Sequence, residues 1–498
     1  MQPNDKYSLS IGAVFTPPAW ATFAIEKFGL LEKWLAGKTI LDPTMGEGNL
    51  LIALVEAGLR TGRLLADLPT QNLYGVELNK GYFDFFSDKI EKYNLNKNNF
   101  FNTDFFFLEH TIEVDIIFGN PPWQTFANLP ENYKEIAKPL FFEYDLVGKA
   151  QDLLLGGSRM DIASLVVQKS IAKHLKVGGE AVFFMPLSLL LNDGANEAFR
   201  NYKVGKVNFA LEMVYDFGTE KVFENVATRY GLVHFRRDAL TQYPVPYLRL
   251  EQASWETFYA RPLLHENAPL SVTTEENINL LETLELLTIL PTHIPRQGVN
   301  TCGANDIFFF QSCEDFDENS YLLNSHIVLP KKFIYPLITS KNFKKQENAT
   351  KWVLLPYKKR GKPLDWIEIE QYAWLKKYLL GYKTLLENRK GTMLNAYIRR
   401  GYWWVLLGVG KYNFAPYKVV WEAYGRNTFE PQIFQGIWQA NQSLQCFIPC
   451  ETEDVARKIL AYLQNPVIEK YLRSLKMEGT MNWAQVGKIK SLFKIETF

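Results

Sequence analysis

The chain has 498 residues, 47% of them hydrophobic and 22% charged, with a formal net charge of +1. At ~100 to 200 residues per domain this length predicts two or three domains with ample core, and the composition excludes a disordered, collagen-like or disulfide-stapled chain. The first residues lack a secretory signal, and apolar stretches such as Ala181 to Leu191 fall short of the ~20 residues of a membrane helix, so a cytoplasmic, membrane-free protein is expected.

In chain order, the first half alternates strands and helices. Thr39-Ile40-Leu41-Asp42 is an apolar run ending in an acid, and a glycine-bearing turn leads to the apolar-periodic Leu50 to Leu59. Leu73 to Glu77 reads as a strand, Tyr82 to Tyr93 as a helix, Asp115 to Phe118 as a strand stopped by Gly119-Asn120-Pro121-Pro122, Ile162 to Leu175 as a helix and Ala181 to Met185 as a strand. Such alternation predicts a parallel sheet covered on both faces, with ligands beyond the carboxyl ends of its strands. From Pro244 to Pro295 prolines accumulate around one amphipathic stretch, Glu275 to Leu290. We therefore expect domains at 1–245 and 291–498, joined by a connection over 246–290. The second is expected to mix strand-like runs (Trp352 to Leu355, Tyr402 to Leu407) with helical ones (Glu453 to Gln464).

The turn Asp42-Pro43-Thr44-Met45-Gly46-Glu47-Gly48 follows a strand and opens a helix. Its glycines permit close backbone approach by a ligand, but a dinucleotide fingerprint needs a third small residue where Leu51 stands, which argues against NAD. Glu77 ends the next strand and is placed to accept hydrogen bonds from ribose hydroxyls. Asp104 could hold an adenine amino group while Phe105 packs on its face. Each acid alone is an ordinary strand end, but three in one sheet point to a nucleoside ligand. The strongest signal is Asn120-Pro121-Pro122-Trp123. An aromatic exocyclic amine is a poor nucleophile because its lone pair is delocalised into the ring. Alkylating it requires two fixed acceptors on its N–H bonds, which an Asn side-chain oxygen and a neighbouring carbonyl supply. Successive prolines stiffen the backbone that presents that carbonyl, and the tryptophan offers a stacking face.

Val14-Phe15-Thr16-Pro17-Pro18, the Asp42 to Gly48 turn, Glu77, Asp104-Phe105 and Asn120 to Trp123, in this order, resemble motifs X, I, II, III and IV of the gamma-class DNA N6-adenine methyltransferases of type II restriction-modification systems. Gly178-Gly179, Phe217-Gly218 and Val222-Phe223-Glu224 resemble weaker downstream motifs. Arg296 to Thr301, Gly303-Ala304-Asn305 and Gly479-Thr480 resemble the target-recognition domain of those enzymes, with Cys302 as a departure between Thr301 and Gly303. The resemblance implies an α/β, Rossmann-like seven-stranded domain binding S-adenosylmethionine, followed by a mixed α+β domain that recognises double-stranded DNA. It further implies that Thr16, Asp42, Thr44, Gly46 and Gly48 surround the methionine end, Glu77 the ribose, and Asp104 with Phe105 the adenine. Asn120 and Pro121, followed by Pro122, would take the target amine of a flipped adenine, and Trp123 and Phe223 its ring. A separate cognate restriction endonuclease is an expected partner and a monomer the expected state; no nuclease domain is expected ahead of the first motif.

Two other readings stay open. The same Asn-Pro-Pro turn serves methyltransferases of rRNA or of a protein glutamine, and a modification subunit could act only with a defence-complex partner. Charge favours DNA: Lys331 to Arg426 carries 20 Lys and Arg against 6 Asp and Glu, a net of +14 that leaves −13 elsewhere, with half of the 12 tryptophans. Cations interleaved with aromatics suit a polyanion that offers flat bases; the bland alternative is a basic face over an aromatic core. Arg399 and Arg400, before Tyr402-Trp403-Trp404, are the candidate DNA contacts. Asp365, Glu368 and Glu370 lack the lysine of a nuclease centre and read as surface charges. Cys446 and Cys450 lack a partner pair for zinc, so no metal and reduced thiols are expected.

Overall fold

The computed structural model describes residues 14–496 apart from 109, 111, 148–159, 193–195, 224, 225, 227, 264, 345–347, 425–427 and 477–483. Of the sequence motifs, Glu224, Arg426, Gly479 and Thr480 lie outside the described residues. The chain forms two compact units, the first running to Glu282 and the second beginning at Thr283.

The first unit is built on one sheet. Its strands are β1 (Ile40–Asp42), β2 (Leu73–Glu77), β3 (Phe100–Asn102), β4 (Val114–Gly119), β5 (Leu175–Pro186), β6 (Lys203–Val204), β7 (Val207–Asp216), β8 (Tyr230–Arg237), β9 (Val245–Glu251), β10 (Ser254–Arg261) and β11 (Ser271–Thr273). They lie in the order β3-β2-β1-β4-β5-β8-β7-β9-β10-β11, with β6 paired to β7. From β3 to β5 all pairs are parallel, and β8 is antiparallel to both β5 and β7. Successive residues of the central strands enter two different cores: Ile40, Ile116, Phe118, Val182 and Phe184 face one, Leu41, Ile117, Phe183 and Met185 the other. That alternation explains why these strands read as unbroken apolar runs, since a sheet covered on both faces has no wet side.

Helices α1 (Pro18–Lys27), α2 (Leu30–Leu35), α3 (Asn49–Arg60), α4 (Lys80–Lys92), α5 (Glu131–Glu143) and α6 (Ile162–Lys169) accompany this sheet. Three of these starts have a clear local cause. Pro18 sits in the first turn of α1, where its missing N–H costs no hydrogen bond. Asn79 caps α4 by accepting from the N–H groups of Gly81 and Tyr82, and Asp161 caps α6 through Ala163. The helix expected over Ile162 to Leu175 is α only to Lys169 and ends in a turn of π-helix, Ser170–His174.

Two expectations are corrected. The sheet has eleven strands, not seven: β3 to β7 in spatial order supply seven, and β6, β9, β10 and β11 extend them. The region expected as a connection, 246–290, holds most of those additions, because β9 pairs with β7 and leads into a β9-β10-β11 meander. Its prolines misled. Pro246 lies in β9 outside the Tyr247 to Arg249 stretch that pairs with β7, a place where a missing N–H is tolerated.

The second unit is mixed α+β, as expected. It has a four-stranded antiparallel sheet (Arg296–Gln297, Gln445–Cys450, Tyr417–Glu422, Gln432–Gln435), two three-stranded ones and a strand pair joining Leu287–Ile289 to Phe493–Ile495. Tyr402 to Leu407 is not a strand. It is a buried irregular segment whose Leu406 N–H and C=O both bond the Tyr357 hydroxyl. Trp403, Trp404 and Trp421 are core residues, so half of the six tryptophans in the basic segment support the fold rather than offer stacking faces. The four cysteines are free thiols. Among the described residues no cluster of His, Cys, Asp or Glu is suited to a metal, and no helix is long and apolar enough to cross a membrane.

Candidate active site

The carboxyl ends of β1, β2 and β4 and the turn after β3 carry Asp42, Glu77, Asn120 and Asp104. Together with Thr16, Thr44, Gly46, Phe105 and Pro122 they line a single cleft, where apolar walls and a few convergent polar groups meet as in small-molecule sites. Residues from five separate stretches of sequence therefore converge as the alternating pattern predicts.

The loop after β1 is shaped by its glycines. Gly46 and Gly48 have φ of +55° and +78°, a region that disfavours side chains. A Cβ on Gly48 would lie 2.3 Å from the Phe86 ring, and one on Gly46 would lie 3.0 Å from Phe15. Gly48 does not line the cleft; it supports the loop as the residue before α3. Main-chain N–H groups of the loop turn toward the acids: Asp42 Oδ1 accepts from Thr44 (3.1 Å) and Glu77 Oε2 from Gly46 (2.8 Å). Glu77 Oε1 accepts from Asn79 at 2.6 Å.

All three acids of the cleft are held toward protonation. Burial pushes Asp42 up to about 8 against the hydrogen bond from Thr44, and the Glu77 charge adds to the rise. Burial also raises Glu77 and Asp104, opposed in each case by backbone N–H donors. Their ionised forms are thus under-compensated. Such a cleft fits a ligand bearing a cation and several hydrogen-bond donors, as the sulfonium, ammonium and ribose hydroxyls of S-adenosylmethionine would provide.

Asp104 has two partners, the Phe106 N–H on Oδ1 and the Tyr133 hydroxyl on Oδ2, both at 2.9 Å. Beside it the Lys169 ammonium donates to the carbonyls of Phe105 (2.6 Å) and Phe106 (2.9 Å) and lies 5.0 Å from the centre of the Phe105 ring. Burial lowers Lys169 to about 8. Neither Tyr133 nor Lys169 was identified from sequence. Lys169 had a signal, a cation three residues beyond Val166 and four beyond Leu165 on the buried side of α6; Tyr133 had none.

Asn120 is the most informative residue. Its Nδ2 donates to the Val14 carbonyl (2.9 Å) and to Thr16 Oγ1 (3.0 Å), while the Thr44 hydroxyl donates to its main-chain carbonyl (3.3 Å). Its Oδ1 is shielded from solvent and has no hydrogen-bond partner. An unused buried acceptor costs ~1 to 3 kcal/mol, so it marks a place where a donor is missing. Pro121 beside it is buried.

Trp123 and Phe223 come together, but not in the cleft lining. Their rings meet at 4.8 Å and 83°, and Tyr230 touches both. The Tyr230 hydroxyl accepts from the Val222 and Phe223 N–H groups and donates to the Glu220 carbonyl. In the second unit, Arg399 and Arg400 are exposed at the end of the helix Thr392–Arg399, without an ion pair among the described residues.

Residues 49–223 match the family described as Eco57I restriction-modification methylase. The Type II methyltransferases M.HincII and M.HindII of Haemophilus influenzae are each 26% identical to this chain over 225 residues, 45% of its length. The match spans only 37% and 36% of those relatives. In fold, the chain is similar to the Type IIL restriction-modification enzyme MmeI, solved in complex with DNA, with a TM-score of 0.56 at 11% identity over 94% of this chain and 64% of that one.

Proposed function

We propose that the chain is a site-specific DNA methyltransferase, a reading supported by the match of residues 49–223 to the family described as Eco57I restriction-modification methylase. It transfers the methyl group of S-adenosylmethionine to N6 of an adenine turned out of double-stranded DNA. The observation that carries this reading is the unpartnered Oδ1 of Asn120 at the cleft. An amine with two N–H bonds would donate one to that oxygen and one to the Pro121 carbonyl, and its lone pair would then stand out of the ring plane. Asp42, Thr44 and Gly46 would hold the methionine end, with Gly48 shaping their loop. Glu77 would take the ribose hydroxyls through the lone pairs left free by the Gly46 and Asn79 N–H groups that donate to it, and Asp104 with Phe105 the adenine.

When bound, S-adenosylmethionine would supply an electrophilic methyl group, its sulfur keeping the electron pair of the broken bond, and the methylated N6 would lose one proton, which reaches bulk solvent when the product base leaves. The protein's part is to fix the amine and exclude water. Trp123 and Phe223 would flank the target ring, and since they touch each other, an entering base must part them. That rearrangement adds to the few kcal/mol of unstacking that DNA contacts must offset. Arg399 and Arg400 are proposed to contribute such contacts, and a separate restriction endonuclease would share the recognised sequence.

The test is methylation of plain duplex DNA by the purified chain, followed by nucleoside analysis. N6-methyladenine at one short sequence is expected. N4-methylcytosine alone, or cofactor binding without any DNA methylation, would sink the assignment.

A further inference from the structure

We infer that Thr16 is a positioning residue that sets the orientation of the Asn120 amide, and is not simply a wall of the cofactor end of the cleft. This rests on the proposed role of Asn120. A carboxamide presents an acceptor on one side and two donors on the other, and only the acceptor serves an incoming N–H. The Val14 carbonyl can only accept, so the Asn120 atom 2.9 Å from it is the nitrogen. The second N–H of that nitrogen goes to Thr16 Oγ1 at 3.0 Å. With both donors held by one short segment, Oδ1 is left as the unpartnered atom at the cleft. Turned over, the amide would set Oδ1 against the Val14 carbonyl and offer N–H to N–H at the target amine.

The segment is built to deliver these two acceptors across 106 and 104 residues of sequence. Thr16 is 4% exposed, so its hydroxyl is shielded from competing water. Pro17 follows it and restricts its backbone. Pro18 then opens α1, whose Ala21, Ala24 and Ile25 are buried in the same core as Leu51, Leu54 and Val55 of α3. The packing of α1 thereby fixes where Val14 and Thr16 stand relative to the end of β4. Without the Thr16 hydroxyl, one Asn120 N–H loses its partner and a single bond, to Val14, restrains the amide.

Five purified chains test this: wild type, Thr16→Val, Thr16→Ser, Asn120→Ala, and Asn120→Ala combined with Thr16→Val. Single-turnover methylation of duplex DNA should fall about 10- to 100-fold in Thr16→Val, as for loss of a hydrogen bond that acts in the transition state. Thr16→Ser should stay within about threefold of wild type, and S-adenosylmethionine affinity by calorimetry should change less than about threefold in both. In the Asn120→Ala background, Thr16→Val should cost less than about twofold more, because coupled residues do not add. If Thr16→Val does not fold, Thr16→Ala takes its place. An independent readout is the side-chain amide resonance of Asn120 in protein labelled with nitrogen-15 at asparagine, identified by its loss in Asn120→Ala: it should shift in Thr16→Val and not in Thr16→Ser. Full turnover in Thr16→Val, cofactor affinity falling in step with turnover, additive losses, or an unmoved resonance would each overturn the inference. Failure of wild type to methylate DNA while the resonance still shifts would instead overturn the function of Asn120 and leave the hydrogen bond standing.

Discussion

Two buried sites, one in each unit, use their polar groups in opposite ways. At the cleft of the first unit, Asn120 keeps Oδ1 unpartnered while Asp42, 1% exposed, faces the Glu77 charge. In the second unit, Arg389 is also buried but richly engaged, donating to the carbonyls of Leu386, Thr301, Trp403 and Val405. Lys418, with no exposed surface, donates to the Ala415 carbonyl. Unused hydrogen-bonding capacity at a cleft leaves a place for a ligand, whereas the bonds that Arg389 makes hold scaffold together. A residue's charge alone distinguishes neither, which is why a net of +14 over one segment says less about DNA contact than the pairing state of each cation.

The comparison breaks most directly at Asn120. Asn120→Ala removes an acceptor that matters as the amine pyramidalises, so single-turnover methylation should drop about 100- to 1,000-fold, in line with other fixed polar groups at reacting centres. Cofactor and DNA binding should persist, measured by calorimetry and fluorescence anisotropy. The opposite result is expected at Arg389. Arg389→Ala strands several buried carbonyls at ~1 to 3 kcal/mol each, so denaturant unfolding should show the second unit weakened by at least about 3 kcal/mol. If that variant kept its stability but lost DNA binding, Arg389 would belong with the ligand-facing groups and the contrast would fail.

How much of this was legible beforehand depended on whether the cause is local. Asp42, Glu77, Asp104 and Asn120 each stand at or just beyond a strand end beside a turn signal, and local sequence shows that. Tyr133 reaches Asp104 across 29 positions and Lys169 reaches Phe105 across 64, partnerships that exist only once the sheet is closed. The Phe223 and Trp123 pairing was visible as two aromatics, but their mutual contact at 83° was not. Misreading Tyr402 to Leu407 as a strand had the same origin: its apolar run signals burial, while Arg389 and Tyr357 supply the hydrogen bonds that a sheet would otherwise provide.

A smaller effect sharpens the account of the acids. Asp42 has its carboxyl raised from 3.8 to about 8. An acid that holds its proton more tightly when folded stabilises the fold least at high pH. Relative to Asp42→Asn, the wild type should therefore lose stability as pH rises from about 4 toward 8, and the difference should vanish below about 4. Cofactor binding has the reverse slope, because a bound ammonium stabilises the ionised carboxylate. Affinity should rise with pH up to about 8 and release protons, as seen by calorimetry in buffers of different ionisation enthalpy, and Asp42→Asn should flatten the trend. A flat wild-type profile would remove Asp42 from the cationic end of the ligand.

The smallest expected effect falls on the exposed cations of the second unit. Each phosphate neutralised releases condensed counterions, so the logarithm of DNA affinity should fall linearly with the logarithm of salt at roughly 0.9 per contact. Several of the cations between Lys331 and Arg426 are less available: Arg389 and Lys418 are buried, and Lys358, Lys376 and Lys383 face Glu368, Glu370 and Glu387. A slope corresponding to about 5 to 8 phosphates is therefore expected rather than one near the full count. Arg399 and Arg400 are exposed and stand at a helix end with no acid holding them among the described residues. Replacing both by alanine should leave unfolding free energy within about 0.5 kcal/mol, because surface sites of this kind carry little stability. It should lower the salt slope by about one or two, uniformly across sequences if they touch phosphates and with relaxed site choice if they reach base edges. An unchanged slope would mean that these cations only solvate the surface, and would remove Arg399 and Arg400 from the proposed duplex contacts.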